Sequence, residues 1–112
     1  MKYQIMSDNM SVSPSMVTLV KTKFNRISKR FSDVDEDAKF ARVVLNTAPN
    51  EMFEVKANVV IAGKEYFSDE TEYNFETAVV NTVEEILQMI EKDKEIQDKK
   101  ALKEEIDLVE GV

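Results

Sequence analysis

The chain has 112 residues, with 15 Lys and Arg against 22 Asp and Glu for a net charge of −7, and it contains no His, Cys or Trp. With 43% hydrophobic residues it is long enough for one small folded domain. The missing His and Cys exclude thiolate nucleophiles, imidazole bases, zinc sites built on those ligands and disulfides, so most enzyme chemistry is out of reach.

An acidic total argues at first against a phosphate-rich partner, but the charge is unevenly placed. Residues 1–50 hold eight basic and five acidic side chains, net +3, whereas residues 51–112 hold seven basic and 17 acidic ones, net −10. Between Asp8 and Asp33 there are five basic residues and no acid. Such a split predicts a polarised surface. No apolar run approaches the roughly 20 residues that span a bilayer, and the N-terminal residues lack a secretory h-region, so a cytoplasmic protein without a membrane partner is expected.

In chain order, Lys2 to Met6 alternates polar and apolar residues and predicts a short strand. Ser13 is placed to cap a helix whose first position is Pro14, with Val12 and Val17 as a hydrophobic staple. Val20, Phe24, Ile27 and Phe31 continue from Val17 at spacings of three and four, a stripe on one helical face. Arg26, Lys29 and Arg30 are expected on the opposite side, with Lys21 and Lys23 on the flanks, their stems over the core edge. Asp33 to Asp37 reads as an acidic loop. Strands are expected at 40–46, with Ala41, Val43 and Leu45 inward, and at 53–61, with Phe53, Val55, Ala57, Val59 and Ile61 inward. Residues 47–50 carry turn chemistry, and Gly63 supplies the turn into a strand at 65–69.

Asn74 is placed to cap a last helix with the stripe Phe75, Val79, Val83, Ile86 and Ile90. Beyond Ile90 the stripe meets Asp93, Lys94 and Gln97, so a further helix has no core to cover. The expected organisation is one domain over residues 1–94 and a charged tail or helix extension over 95–112. The order β-α-β-β-β-α defines an α+β fold, a four-stranded antiparallel or mixed sheet with two helices on one face.

Few sites survive inspection. Asp33, Asp35 and Asp37 alternate like the start of a calcium loop, but Ala38 stands where glycine is needed and Val44 where a bidentate Glu is needed, so no metal is expected. Two glycines cannot build a phosphate-cradling loop, and no pair among the 22 acids is singled out for acid–base work. Neither a cofactor nor catalysis is expected. The basic helix remains. A surface kept soluble usually mixes signs, and a single-sign face is more typical of phosphate binding.

Those residues resemble a known family. Asn9-Met10-Ser11-Val12-Ser13-Pro14 is similar to the N-x-x-V-T-P entry into the first helix of the ribosome hibernation promoting factors, also called ribosome-associated inhibitors or sigma-54 modulation proteins. Val20 to Phe31, followed by Asp33-Val34-Asp35, resembles their V-E-K-K-L-x-K-L-x-K-Y-F helix and D-D-I stretch. The element order also matches theirs, a layout shared with double-stranded RNA-binding domains, and the likeness runs from Met1 to about Lys94.

The resemblance implies a non-catalytic short-form member that binds the small ribosomal subunit, its rRNA and proteins, in the mRNA and tRNA channel and silences translation during stress or stationary phase. It implies no DNA partner, and a monomer is expected when free. Lys23, Arg26 and Lys29 fall where the family carries basic residues, and Lys92 and Lys94 match its K-x-K near the end of the second helix; all would contact rRNA phosphates. Lys21 and Arg30 extend the patch where the family has Glu and Tyr. Glu84, Glu85, Gln88 and Glu91 stand where the family's second helix presents cations. That departure keeps an alternative open: a divergent domain that binds a basic protein through its acidic second helix.

Overall fold

A computed structural model describes the backbone of residues 1–110 and the side chains of residues 1–96. The elements are β1 (Lys2–Met6), α1 (Pro14–Lys29), a 3₁₀ turn (Glu36–Ala38), β2 (Lys39–Ala48), β3 (Met52–Ile61), β4 (Lys64–Glu72) and α2 (Phe75–Glu110). The strands lie in the order β1-β2-β3-β4. β1 runs parallel to β2, and β2–β3 and β3–β4 are antiparallel hairpins, so the expected α+β sheet is mixed.

Local chemistry sets these boundaries. Ser13 accepts from the Met16 N–H, and Pro14 opens α1. Asn74 caps α2 through the Thr77 N–H at 3.1 Å. Ala62 and Gly63 both take positive φ, 50° and 84°, as a two-residue hairpin between Ile61 and Lys64 requires. The first hairpin turns later than the sequence predicts. Thr47 and Ala48 stay in β2 because they pair with Phe53 and Met52, and because the Asn9 side chain binds the Thr47 backbone at 2.9 Å through both its amide nitrogen and its oxygen. With Asn46 Oδ1 accepting from the Asp8 N–H, this clamp ties the approach to α1 to the end of β2. It gives Asn9 a structural role in the N-x-x-V-S-P segment.

Both helices cover one sheet face. Ala41, Val43, Leu45, Val55, Ala57 and Val59 meet Val20, Phe24 and Ile27 of α1 and Val79, Val83, Ile86 and Ile90 of α2 in one core. Every residue of those expected stripes from Val20 to Ile27 and from Val79 to Ile90 is fully buried, and each large side chain contributes about 1.5–3 kcal/mol by leaving water. After Ile90 the contact becomes polar. Asp93 accepts from the Tyr66 hydroxyl at 3.0 Å and pairs with Lys64, which fastens the next turn of α2 to β4. Burial, with Asp93 beside it, pushes the Tyr66 hydroxyl up to about 12. The helix continues through residue 94 without a break to Glu110.

The charge pattern did not single out Lys39, whose side chain is 2% exposed. Its ammonium donates to the carbonyls of Ser28 and Phe31 at 3.4 and 3.2 Å and pairs with Glu36 at 2.8 Å. The first residue of β2 thus closes the C-terminal end of α1. The N-terminal amine also contacts Glu36, and the two cations hold that carboxyl down to about 2.

Candidate nucleic-acid interface

Burial of Phe24 and Ile27 fixes how α1 is rotated, and with about 100° per residue this fixes where its cations point. Lys23, Arg26 and Arg30 fall on the flank toward α2, whereas Lys21 falls toward β1. Lys21 places its ammonium 5.8 Å from the centre of the Tyr3 ring, and the Tyr3 hydroxyl reaches the Lys21 carbonyl at 3.4 Å. Lys29 is exposed, with no ion-pair partner among the described residues. The expected outward group of Arg26, Lys29 and Arg30 is therefore divided: the two arginines reach toward α2 and Lys29 does not.

The seam between the helices carries a ladder of opposite charges. Lys23 pairs with Glu76 at 3.6 Å, Arg26 with Glu84 at 3.9 Å, and Arg30 with Glu91. These six side chains remain between one-third and three-fifths exposed. Each such pair is worth about 0.2–1 kcal/mol and is screened by salt. The sequence pattern places Glu84 and Glu91 here but left Glu76 aside. Its signal was available, since 76, 84 and 91 recur at about two helical turns and so share a flank.

Further along the seam lies an open groove of about 540 Å³, bordered by Arg26, Glu84, Leu87, Gln88, Glu91 and Lys92. Lys94 leans away over the Phe31 ring, 4.9 Å from its centre. The seven expected RNA contacts thus fall into three settings: Lys23, Arg26, Arg30 and Lys92 along the seam, Lys21 and Lys94 over aromatic rings, and Lys29 in solvent. Lys and Arg stems commonly pack this way while their charge stays accessible.

Glu85 corrects the expectation that it stands beside the basic patch. It turns toward β4, where it meets Glu70, with Asp69 and Glu72 nearby on the strand and Glu84 and Gln88 bordering the same hollow. The hydrogen bond to Glu85, reinforced by partial burial and the neighbouring carboxylates, raises Glu70 from 4.5 to about 7; Glu85 is held lower by the same bond. Glu70 is thus the carboxyl of the two that holds its proton to the higher pH. An acid raised on folding contributes stability that is full below its unfolded value and is lost as pH climbs through the folded one. Raising pH from about 5 to about 8 is therefore expected to lower the melting temperature, and Glu70→Gln to flatten that fall. A variant with the parent's pH slope would show that this proton has no influence on stability.

Among the described residues no group of three or more acids is placed to hold a metal ion, and no helix is long and apolar enough to cross a membrane. The geometry defines an α+β domain whose first helix presents cations beside an acidic second helix. The sequence profile of the sigma 54 modulation protein / S30EA ribosomal protein family matches residues 3–98, and the chain belongs to that family of non-enzymatic, ribosome-associated modulators. No curated protein matches the chain significantly. Among solved structures it is similar to the Protein Y N-terminal domain of Thermus thermophilus, with a TM-score of 0.71 at 18% identity, covering 82% of this chain and 98% of that one. It is also similar to a ribosomal subunit interface protein from Coxiella burnetii, with a TM-score of 0.68 at 16% identity, covering 84% of this chain and 98% of that one. At these identities the structural likeness speaks for the fold.

Proposed function

We propose that this chain binds the small ribosomal subunit in the mRNA and tRNA channel and silences translation in the cytoplasm during stress or stationary phase. The observation that carries the reading is a family member whose first helix sets five cations in a stretch free of acids from residue 9 to 32. A solved relative described as a ribosomal subunit interface protein supports the same partner. Residues 1–94 form the binding unit, monomeric when free. Lys21, Lys23, Arg26, Lys29, Arg30, Lys92 and Lys94 supply the phosphate contacts. Cations on a helix exterior bridge backbone oxygens without reading bases, as suits a folded rRNA surface.

The alternative partner, a basic protein on α2, is less well served. Glu76, Glu84 and Glu91 already have cations beside them on α1. Co-sedimentation of purified protein with small subunits across a salt series tests the reading. Association is expected at low salt, with log affinity falling roughly two to four units per log unit of salt, fewer than seven cations alone would give because salt also loosens the competing internal pairs. Absence of association at low salt, or association that ignores salt, would overturn it.

A further inference from the structure

The sheet face turned away from both helices is laid out in registered rows. Lys2, Phe40, Val60 and Glu65 form one row from β1 to β4, and Gln4, Arg42, Asn58 and Phe67 form the next. Phe67 is 54% and Phe40 37% exposed, with Val44 and Val60 half-buried beside them. Exposed apolar groups gathered on one face, rimmed by polar ones, mark a contact surface. The charges there are balanced and sorted by strand. Lys2 and Arg42 stand on β1 and β2, Glu65 and Asp69 stand on β4, and on β3 Lys56 pairs with Glu54 at 3.7 Å. One side of the face is basic and the other acidic.

Such a face is complementary to its own copy. A two-fold axis parallel to the strands keeps their direction and reverses their order, so β4 of a second copy lies over β1 and its β3 over β2. The first row then meets its own reverse: Lys2 faces Glu65 of the second copy and Phe40 faces Val60 of the second copy, and symmetry makes each contact twice. In the next row Phe67 covers Gln4 of the second copy. Arg42, whose side chain has only the weak acceptor Met6 Sδ at 3.7 Å among the described residues, has Asp69 of the second copy diagonally across from it. Lys2 already reaches Asp37 at 3.2 Å, but both side chains are largely exposed and an ammonium has three donors.

We propose that this face pairs with a second copy of the chain in that two-fold arrangement, in the aligned manner of packed sheets. The pairing is weak. With strands about 4.8 Å apart and about 3.3 Å per residue, the rows cover roughly 400–500 Å² per copy, short of the about 1,200 Å² in total that stable complexes bury. A dissociation constant of about 0.1–1 mM is expected, so the free protein is monomeric when dilute and pairs where it is concentrated. Both helices lie on the other side of the sheet, so the pair leaves the ribosomal contact proposed above uncovered.

Sedimentation equilibrium from about 20 μM to about 2 mM tests the assignment. The parent is expected to be a monomer at the lower limit and largely a dimer at the upper one. Lys2→Glu and Glu65→Lys, each alone, set like charges together twice per pair and are expected to weaken pairing roughly two- to thirtyfold. An equimolar mixture of these two variants is expected to recover it, because one then carries acids at both positions and the other carries cations. Within one chain those positions lie three strands apart, roughly 14 Å, so recovery arises only between copies. Phe67→Ser is expected to abolish pairing while leaving co-sedimentation with small subunits unchanged. Melting temperatures check that the single variants stay folded. A parent that remains monomeric throughout, a mixture that pairs no better than its components, or parent-like pairing by Phe67→Ser would overturn the proposal.

Discussion

Combined reversal of Lys23, Arg26 and Lys29 to Glu is expected to release the protein from small subunits, while Glu76→Gln, Glu84→Gln and Glu91→Gln together are expected to tighten it. Three lost phosphate contacts at about 1 kcal/mol or more each amount to roughly a hundredfold weaker binding, and the salt slope shrinks by about one unit per contact. The opposite variant works through the free protein. Lys23, Arg26 and Arg30 each face a carboxylate on α2, and a phosphate must compete with that carboxylate for the same cation. At about 0.2–1 kcal/mol per exposed pair, freeing all three is expected to improve affinity by roughly threefold to a hundredfold at low salt and by little at high salt. Co-sedimentation at two ionic strengths reads both variants. Melting temperatures check that they stay folded, since the reversed residues at positions 23 and 26 face acids and cost some stability. Should the Gln variant bind no better than the parent at low salt, the ladder does not restrain α1.

The apolar stripes made the architecture legible because burial has a period. Val20, Phe24 and Ile27 on α1, and Val79, Val83, Ile86 and Ile90 on α2, repeat at three and four, and the strand residues alternate, so each side chain's distance from the core follows from its index. Strand ends were less legible. Thr47 and Ala48 remain in β2 through contacts with Asn9 and with the partner strand, which no local composition encodes. The candidate site was legible as a list of cations but not as a geometry. A helical wheel separates Lys21 from Lys23, yet it cannot say that α2 lies beside Lys23, Arg26 and Arg30 with acids in register. Glu85 shows the same limit: one residue from Glu84 turns it about 100° toward β4 and Glu70.

Lys39→Ala is expected to destabilise the fold more than truncation of any cation on the exposed flanks of α1. Lysine is almost never fully buried without partners, and this one has three: two carbonyls at the end of α1 and the Glu36 carboxylate. Truncation removes the second donor from the Ser28 and Phe31 carbonyls, which keep only the Phe31 and Val34 N–H groups, leaves Glu36 without its nearest side-chain cation, and opens space where the stem packed. The combined cost is expected to be about 2–4 kcal/mol, read by denaturant unfolding. Lys39→Met refills most of the volume but restores neither carbonyl bond, so an intermediate loss of about 1–2 kcal/mol is expected. The order of the two variants separates packing from capping. If methionine matches the parent, the ammonium contributes nothing net and the position is only a filler. If it matches alanine, the carbonyl bonds dominate. The same contacts carry a functional consequence, because Lys29 and Arg30 occupy the turn that Lys39 closes. Fraying of that turn would loosen two proposed phosphate contacts, so Lys39→Met is expected to weaken ribosome association severalfold even where the protein remains fully folded.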